Sequence, residues 1–312
     1  MLNLKQELGL VQIGDPAIFG GLAIFPLLRE SREQRDYLTL NEALEKDGVQ
    51  VTEVSDSGNV PELLLKNLLD KDVFASDGEA LIGAKQNRIL NSSLFVNAKS
   101  EIVIPVSCVE RGRWSYRRRN FRASKYSEFV SSRSAKMASV SESLRYGDFK
   151  RAANQGEVWQ QMDAKREYFQ AEAPTCSMSD IYESKGPSLE LYVRHFKARP
   201  NQVGLACAID GQIAGVELFE SADVYAQYAG KLVRAYASEV LGQENYEAHI
   251  PGHRDIQDWL QRVSNLEPRE YPGVGTGTEL RIEDDDISGS ALNVDDRLLH
   301  LVVFDNSRGS VQ

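Results

Sequence analysis

VGLACAIDGQIAGVELF, residues 203–219, is the stretch on which a reading of the fold turns. Two apolar runs flank Asp210-Gly211, and an Asp-Gly pair between such runs is the sequence form of a tight hairpin turn. An antiparallel strand pair is expected here. Directly after it, Ser221 stands where a helix N-cap would. Tyr225, Tyr228, Ala229, Leu232, Val233, Tyr236 and Val240 then recur at helical spacing, with Gly242 as the expected stop. Two strands followed by an amphipathic helix argue for an α+β fold, with mixed or antiparallel sheets packed against helices.

Working outward, VFASDGEALIGAK (73–85) repeats the pattern around Asp77-Gly78, and ELRIEDDDISGSALNV (279–294) and LLHLVVF (298–304) read as strands joined by turns at Asp285 to Gly289 and Asp295-Asp296. The recurrence of strand, acidic turn and strand suggests two similar β-rich halves. GGLAIFPLL (20–28) and VQVTEV (49–54) read as strands. TLNEALEKDG (39–48) reads as a short helix with Thr39 and Glu42 at capping-box spacing, and PELLLKNLL (61–69) as a helix with Pro61 in its first turn. ILNSSLFV and IVIPVSCV continue the sheet, with Pro105 marking an edge or a bulge. From Lys125 the period becomes helical, through Tyr126, Phe129, Val130, Met137, Val140 and Leu144, and again through Val158, Trp159, Met162 and Phe169 behind Asn154. PTCSMSDIYESKGPS (174–188) reads as a loop and the best boundary, giving an N-terminal half over 1–173 and a C-terminal half over 188–312 in one compact unit.

At 312 residues, 42% of them hydrophobic, the chain can bury one large core or two ordinary ones. Its net charge of -10 opposes attraction to nucleic acid or an anionic membrane, so an anion site has to be built locally. Cys108, Cys176 and Cys207 are odd in number and form no C-x-x-C pair, which fits a reducing compartment; the cytoplasm is the expected location. No leader pattern opens the sequence and no apolar run approaches the ~20 residues of a membrane span.

Two stretches break the acidic background. GEALIGAKQNRILNSS (78–93) brings Lys85, Gln86, Asn87, Arg88 and Asn91 together with no acid after Glu79. In a straight strand Lys85 and Asn87 share one face and Gln86 and Arg88 the other, so a common pocket requires a turn or bulge. Given one, Lys and Arg suit phosphate, and Gln and Asn suit a ribose or base edge. A solvated strand end is the alternative. CVERGRWSYRRRNFRASK (108–125) carries Arg111, Arg113, Arg117, Arg118, Arg119, Arg122 and Lys125 interleaved with Trp114, Tyr116 and Phe121. Guanidinium forks bind phosphate and aromatic faces stack on bases. The same run could be solvated, dock an acidic surface, or hold a short single strand, although the overall charge disfavours nucleic acid.

Other candidates carry less. Cys108 near Glu110 evokes a nucleophile and base, but on a buried strand such thiols are commonly inert. His249 and His253 are interrupted by Pro251-Gly252, which argues against a zinc pair. The Asp284 to Asp295 run matches part of a calcium loop yet lies between strands, and GVGTGTEL (273–280) reads as a linker; no metal is expected. Glu217 and Glu220, with Asp223 after them, are the notable acids of the second half.

GEALIGAKQNRILNSSLFV, IPVSCVERGRW and VGLACAIDGQIAGVELFESADVYAQYAGKLVRAYA together resemble a bacterial family named for association with ADP-ribosylglycohydrolases and rhodanese-phosphatase-superfamily proteins, over about residues 15 to 304. The resemblance implies a place in the metabolism or signalling of NAD-derived ADP-ribose species. It carries the family's polar signature onto Lys85, Gln86, Asn87, Arg88 and Asn91, onto Glu110, Gly112, Arg113 and Trp114, and onto Gly215, Glu217 and Phe219, whereas Arg117–Arg119 looks peculiar to this sequence. The expected ligand is an ADP-ribose-like nucleotide, with Lys85, Arg88 and Arg113 on phosphates, Gln86, Asn87 and Asn91 on ribose or base, and Trp114 as a stacking surface. A hydrolase would use Glu110 or Glu217 as general base. The competing reading is a scaffold that docks an acidic partner of the same pathway through residues 111–125. The residues name no cofactor.

Overall fold

The hairpin at Asp210-Gly211 forms as its sequence dictates. Asp210 at φ 49° and Gly211 at φ 79° make the turn, and Gln202–Ile209 pairs antiparallel with Gln212–Phe219. The computed structural model describes residues 3–30, 35–147, 150–242 and 250–307. By contacts the chain forms two units that are not consecutive stretches: Met1–Gln34 with Pro187–Pro272 and Gly277–Gln312, and Arg35–Gly186 with Gly273–Thr276. The fold is α+β.

In the first unit the hairpin lies inside a nine-stranded antiparallel sheet. Leu22–Leu28 pairs on one side of it, placing Leu205 opposite Pro26, and Arg297–Asp305, Ile287–Val294, Thr278–Asp284 and Arg269–Pro272 follow on the other. The period of two sorts the faces. Val216, Leu218, Leu301, Val303 and Ile282 join Phe25 and Leu27 in a core with Leu4 and Leu8 of Leu4–Gly9 and with Ile256, Leu260 and Val263 of His253–Ser264. Glu217, between Val216 and Leu218, faces the other way. Ala222–Ala237 packs on the hairpin and ends before Gly242, and Ser221 at its N-cap bonds Asp223 rather than a backbone N–H. The turn after Thr278–Asp284 is Asp285-Asp286 alone, since Ile287 already pairs.

The second unit holds two sheets. Phe121–Ser127, Glu79–Gly83, Arg88–Leu90, Glu101–Cys108, Glu62–Asn67 and Val49–Glu53 form an antiparallel six-stranded sheet in that order. Val274–Gly275, Leu94–Val96, Val73–Ala75 and Leu38–Thr39 form a mixed four-stranded sheet. The helix expected at 61–69 is a strand: Leu63, Leu65 and Asn67 are buried and Lys66 exposed, a period of two that three adjacent leucines had hidden. Asp77-Gly78 is not a hairpin turn, because Val73–Ala75 and Glu79–Gly83 belong to different sheets. Asp77 is instead buried against Lys136 at 2.7 Å and Arg133 at 2.8 Å. Pro105 lies in an interior strand where pairing passes from Glu62–Asn67 to Arg88–Leu90, a point that tolerates a missing donor. Residues 121–127 are strand and the helix starts at Val130; the 174–188 segment contains the helix Met178–Ser184; and Gly273–Thr276 supplies a strand rather than a linker. Thr39 and Glu42 form the expected capping box, and Asn154 caps Gln155–Phe169.

Candidate functional site

The required turn exists. Glu79–Gly83 ends at Gly83, at φ 141°, where a Cβ would approach Asn120 O to 2.9 Å; Ala84 follows at φ 38°, and Lys85–Asn87 bend before Arg88–Leu90 begins. The bend packs under the arginine-rich segment. Arg113 donates to Ala84 O at 2.7 Å, Ser115 O at 2.6 Å and Gly83 O at 3.2 Å, and Arg117 N donates to Ala84 O. Its remaining donors meet Glu110, Nε to Oε1 at 2.8 Å and Nη2 to Oε2 at 2.6 Å. Every N–H of Arg113 is thus engaged by the protein, which makes it a brace of this loop.

Glu110 is the node. It is fully buried and also accepts from Asn87 N at 3.0 Å and Thr175 Oγ1 at 3.0 Å. Burial pushes its pKa up, but the bonds from Arg113 and Asn87, with the Arg113 charge, outweigh that and hold it below its ordinary value. A carboxylate so saturated is poorly suited to take a proton from water. Cys108 is buried too, and burial pushes its thiol up, which disfavours the thiolate that a nucleophile needs.

Lys85 ties two walls together. Its Nζ donates to Asp56 O at 2.6 Å and Ser57 O at 2.8 Å, and lies 5.2 Å from the Trp114 ring and 5.3 Å from that of Tyr116. Arg88 is the exception to this saturation. Fully buried, it bonds Gln86 Oε1 at 3.0 Å through Nη1 and lies 5.8 Å from the Trp114 ring, while, among the described residues, its Nε and Nη2 meet no acceptor and no acid pairs with it. Burial lowers its pKa, opposed by the Cys108, Glu53 and Glu110 groups. A buried cation with idle donors costs stability, so Arg88 stands out from the saturated groups around it.

Beside this cluster lies a cleft of about 690 Å³ lined by Thr52, Glu53, Ser55 and Asp56 on one side and Tyr116, Arg117, Arg118, Arg119 and Asn120 on the other. Sequence reasoning flagged the arginines as a charge anomaly but missed the acidic wall. Its signal was V-x-V-x-E at 49–53, a carboxylate at the third inward position of an alternating strand.

The predicted residues therefore divide. Lys85, Gln86, Asn87, Arg88, Glu110, Arg113 and Trp114 come together in the second unit. Asn91 turns aside, donating to Arg151 O and accepting from Ser107. Glu217 lies in the first unit, buried at 3.0 Å from His300 Nε2, with Phe219 and Tyr228 stacked nearby. His249 lies outside the described residues. Among the described residues no cluster of three or more His, Cys, Asp or Glu could hold a metal, and no helix is long and apolar enough to cross a membrane.

Residues 10–304 match the ARG and Rhodanese-Phosphatase-superfamily-associated Protein domain, and the chain belongs to that family. The family's name links it to proteins associated with ADP-ribosylglycohydrolase. Neither a curated protein nor a solved structure matches the chain.

Proposed function

We propose that this member of the family binds an ADP-ribose-like, NAD-derived nucleotide in the cleft between Thr52–Asp56 and Tyr116–Asn120. One observation carries the reading: in a protein of net charge -10, three consecutive arginines line a cavity of about 690 Å³, a size suited to a nucleotide. Arg117, Arg118 and Arg119 take the diphosphate, where guanidinium forks match phosphate oxygens. Trp114 and Tyr116, both about half exposed, offer aromatic faces to the base or sugar. Lys85, Glu110, Arg113 and Asn87 hold these walls in place, and Gln86 and Arg88 supply polar groups beneath them. In this assignment Lys85 and Arg113 are braces and not phosphate ligands.

The test is thermal unfolding of the whole chain with and without millimolar ADP-ribose, NAD, ATP and a mixed-sequence oligonucleotide. A ligand at ~100 times its Kd adds about 2.7 kcal/mol, a shift of several degrees. Stabilisation by ADP-ribose or NAD supports the reading. A shift with none of the four removes it in favour of the second reading, an acidic protein partner docked on the exposed arginines, whose binding would fall steeply with salt.

A further inference from the structure

We propose that Glu53 reads a sugar hydroxyl in this cleft, so that the preferred ligand carries a free ribose beyond its diphosphate. The proposal rests on the nucleotide reading and narrows it. Glu53 closes the strand Val49–Glu53 on the face that Val49 and Val51 bury, and it is one of the residues that line the cleft. Oε1 accepts the Lys85 backbone N–H at 3.2 Å, which fixes the carboxylate. Oε2 is buried and has no hydrogen-bond partner. No ion pair joins it to Arg88, the neighbouring buried cation whose Nε and Nη2 are equally idle. An unpaired carboxylate oxygen at a residue that lines the cleft calls for a donor, which a hydroxyl supplies and an ionised phosphate does not.

A second observation marks the same point. Gly58, at φ 77°, stands where a Cβ would lie 3.1 Å from Trp114 Cζ2 and 3.4 Å from both Glu53 Oε2 and Lys85 Cδ. A side chain at 58 would crowd the Trp114 ring and the unpaired carboxylate oxygen, so glycine lets this turn pack against both and holds the Glu53 carboxylate in place. Like charge keeps phosphate away from Glu53 and Asp56 and directs it to Arg117–Arg119 across the cleft. The two walls therefore sort the two ends of one ligand by polarity.

Titration calorimetry on the full chain with ADP-ribose and with ADP tests this. A hydroxyl bonded to a carboxylate that is otherwise unpaired is worth about tenfold to a hundredfold in affinity, so ADP-ribose should bind at least about tenfold more tightly than ADP. Glu53→Gln, nearly isosteric and still able to accept from Lys85 N–H, should bring the two affinities to within about threefold of each other. Equal affinities in the wild type, or an unchanged ratio in Glu53→Gln, overturn the proposal and leave the nucleotide reading standing. Binding of neither ligand to the wild type removes both.

Discussion

Arg113 and Glu110 meet through two parallel hydrogen bonds of 2.8 and 2.6 Å with both side chains buried, and the same carboxylate holds Asn87 N and Thr175. This bidentate pair joins the arginine-rich segment to the Lys85–Asn87 bend. The cleft wall depends on it.

Removing one partner leaves the other charged and buried. Glu110→Ala should cost about 3–5 kcal/mol in urea unfolding at pH 7, by the usual size of a broken buried pair. A cost below about 1 kcal/mol would show that the node does not brace the loop.

The pH dependence has a definite sign. Glu110 is held below its ordinary pKa of 4.5 in the folded chain, so the unfolded chain binds more protons as pH falls. The stability it contributes is fully present above pH ~4.5 and is lost as pH falls through the lower folded value. The deficit of Glu110→Ala should therefore shrink in acid, as read by denaturation midpoints across pH 3–7.

Arg88 sets stability against binding. Replacing a buried, unpaired guanidinium by an apolar chain of similar length relieves its desolvation, so Arg88→Met should stabilise the free protein by about 1 kcal/mol or more. The same change should reduce stabilisation by ADP-ribose. Calorimetric unfolding with and without ligand measures both, and a destabilised Arg88→Met protein would show that Arg88 has a structural role.

Asp77 and Glu128 both pair with Lys136, at 2.7 and 2.8 Å, but burial and the Asp77 charge push the Glu128 pKa up, whereas Lys136 and Arg133 overcome burial to hold that of Asp77 down. Asp77→Ala should cost about 3–5 kcal/mol by leaving Lys136 and Arg133 short of their common partner. Glu128→Gln should cost clearly less at pH 7. Equal losses in guanidinium unfolding would refute the asymmetry.

The strand at 62–67 makes its own test. Leu65→Ala, at a fully buried position, should cost about 2–5 kcal/mol, and Lys66→Ala, on the exposed face, within about 0.5 kcal/mol.

Local rules carried the reading where the deciding atoms lie within a few residues. Asp210-Gly211 fixes its hairpin through backbone dihedrals, Thr39 and Glu42 close a capping box across three residues, and the Ala222–Ala237 stripe follows from helical spacing. The same rules failed at Asp77-Gly78. Nothing in that stretch records that its two strands enter different sheets, or that Lys136, 59 residues on, neutralises the aspartate.

The sequence by itself determined the α+β class, the concentration of cations at 85–88 and 111–125, and the family resemblance, because composition and short-range periodicity suffice for each. Only the tertiary structure decided which of those groups are engaged. Arg113 and Arg88 are the same residue type in neighbouring motifs, yet one has every donor bonded and the other has two idle. Whether a polar group is satisfied depends on carbonyls and carboxylates brought from distant parts of the chain, at separations of 29 residues for Arg113 to Ala84 and 32 for Lys85 to Glu53. Long-range hydrogen bonding therefore separates brace from binding group, and Glu53 from the other acids.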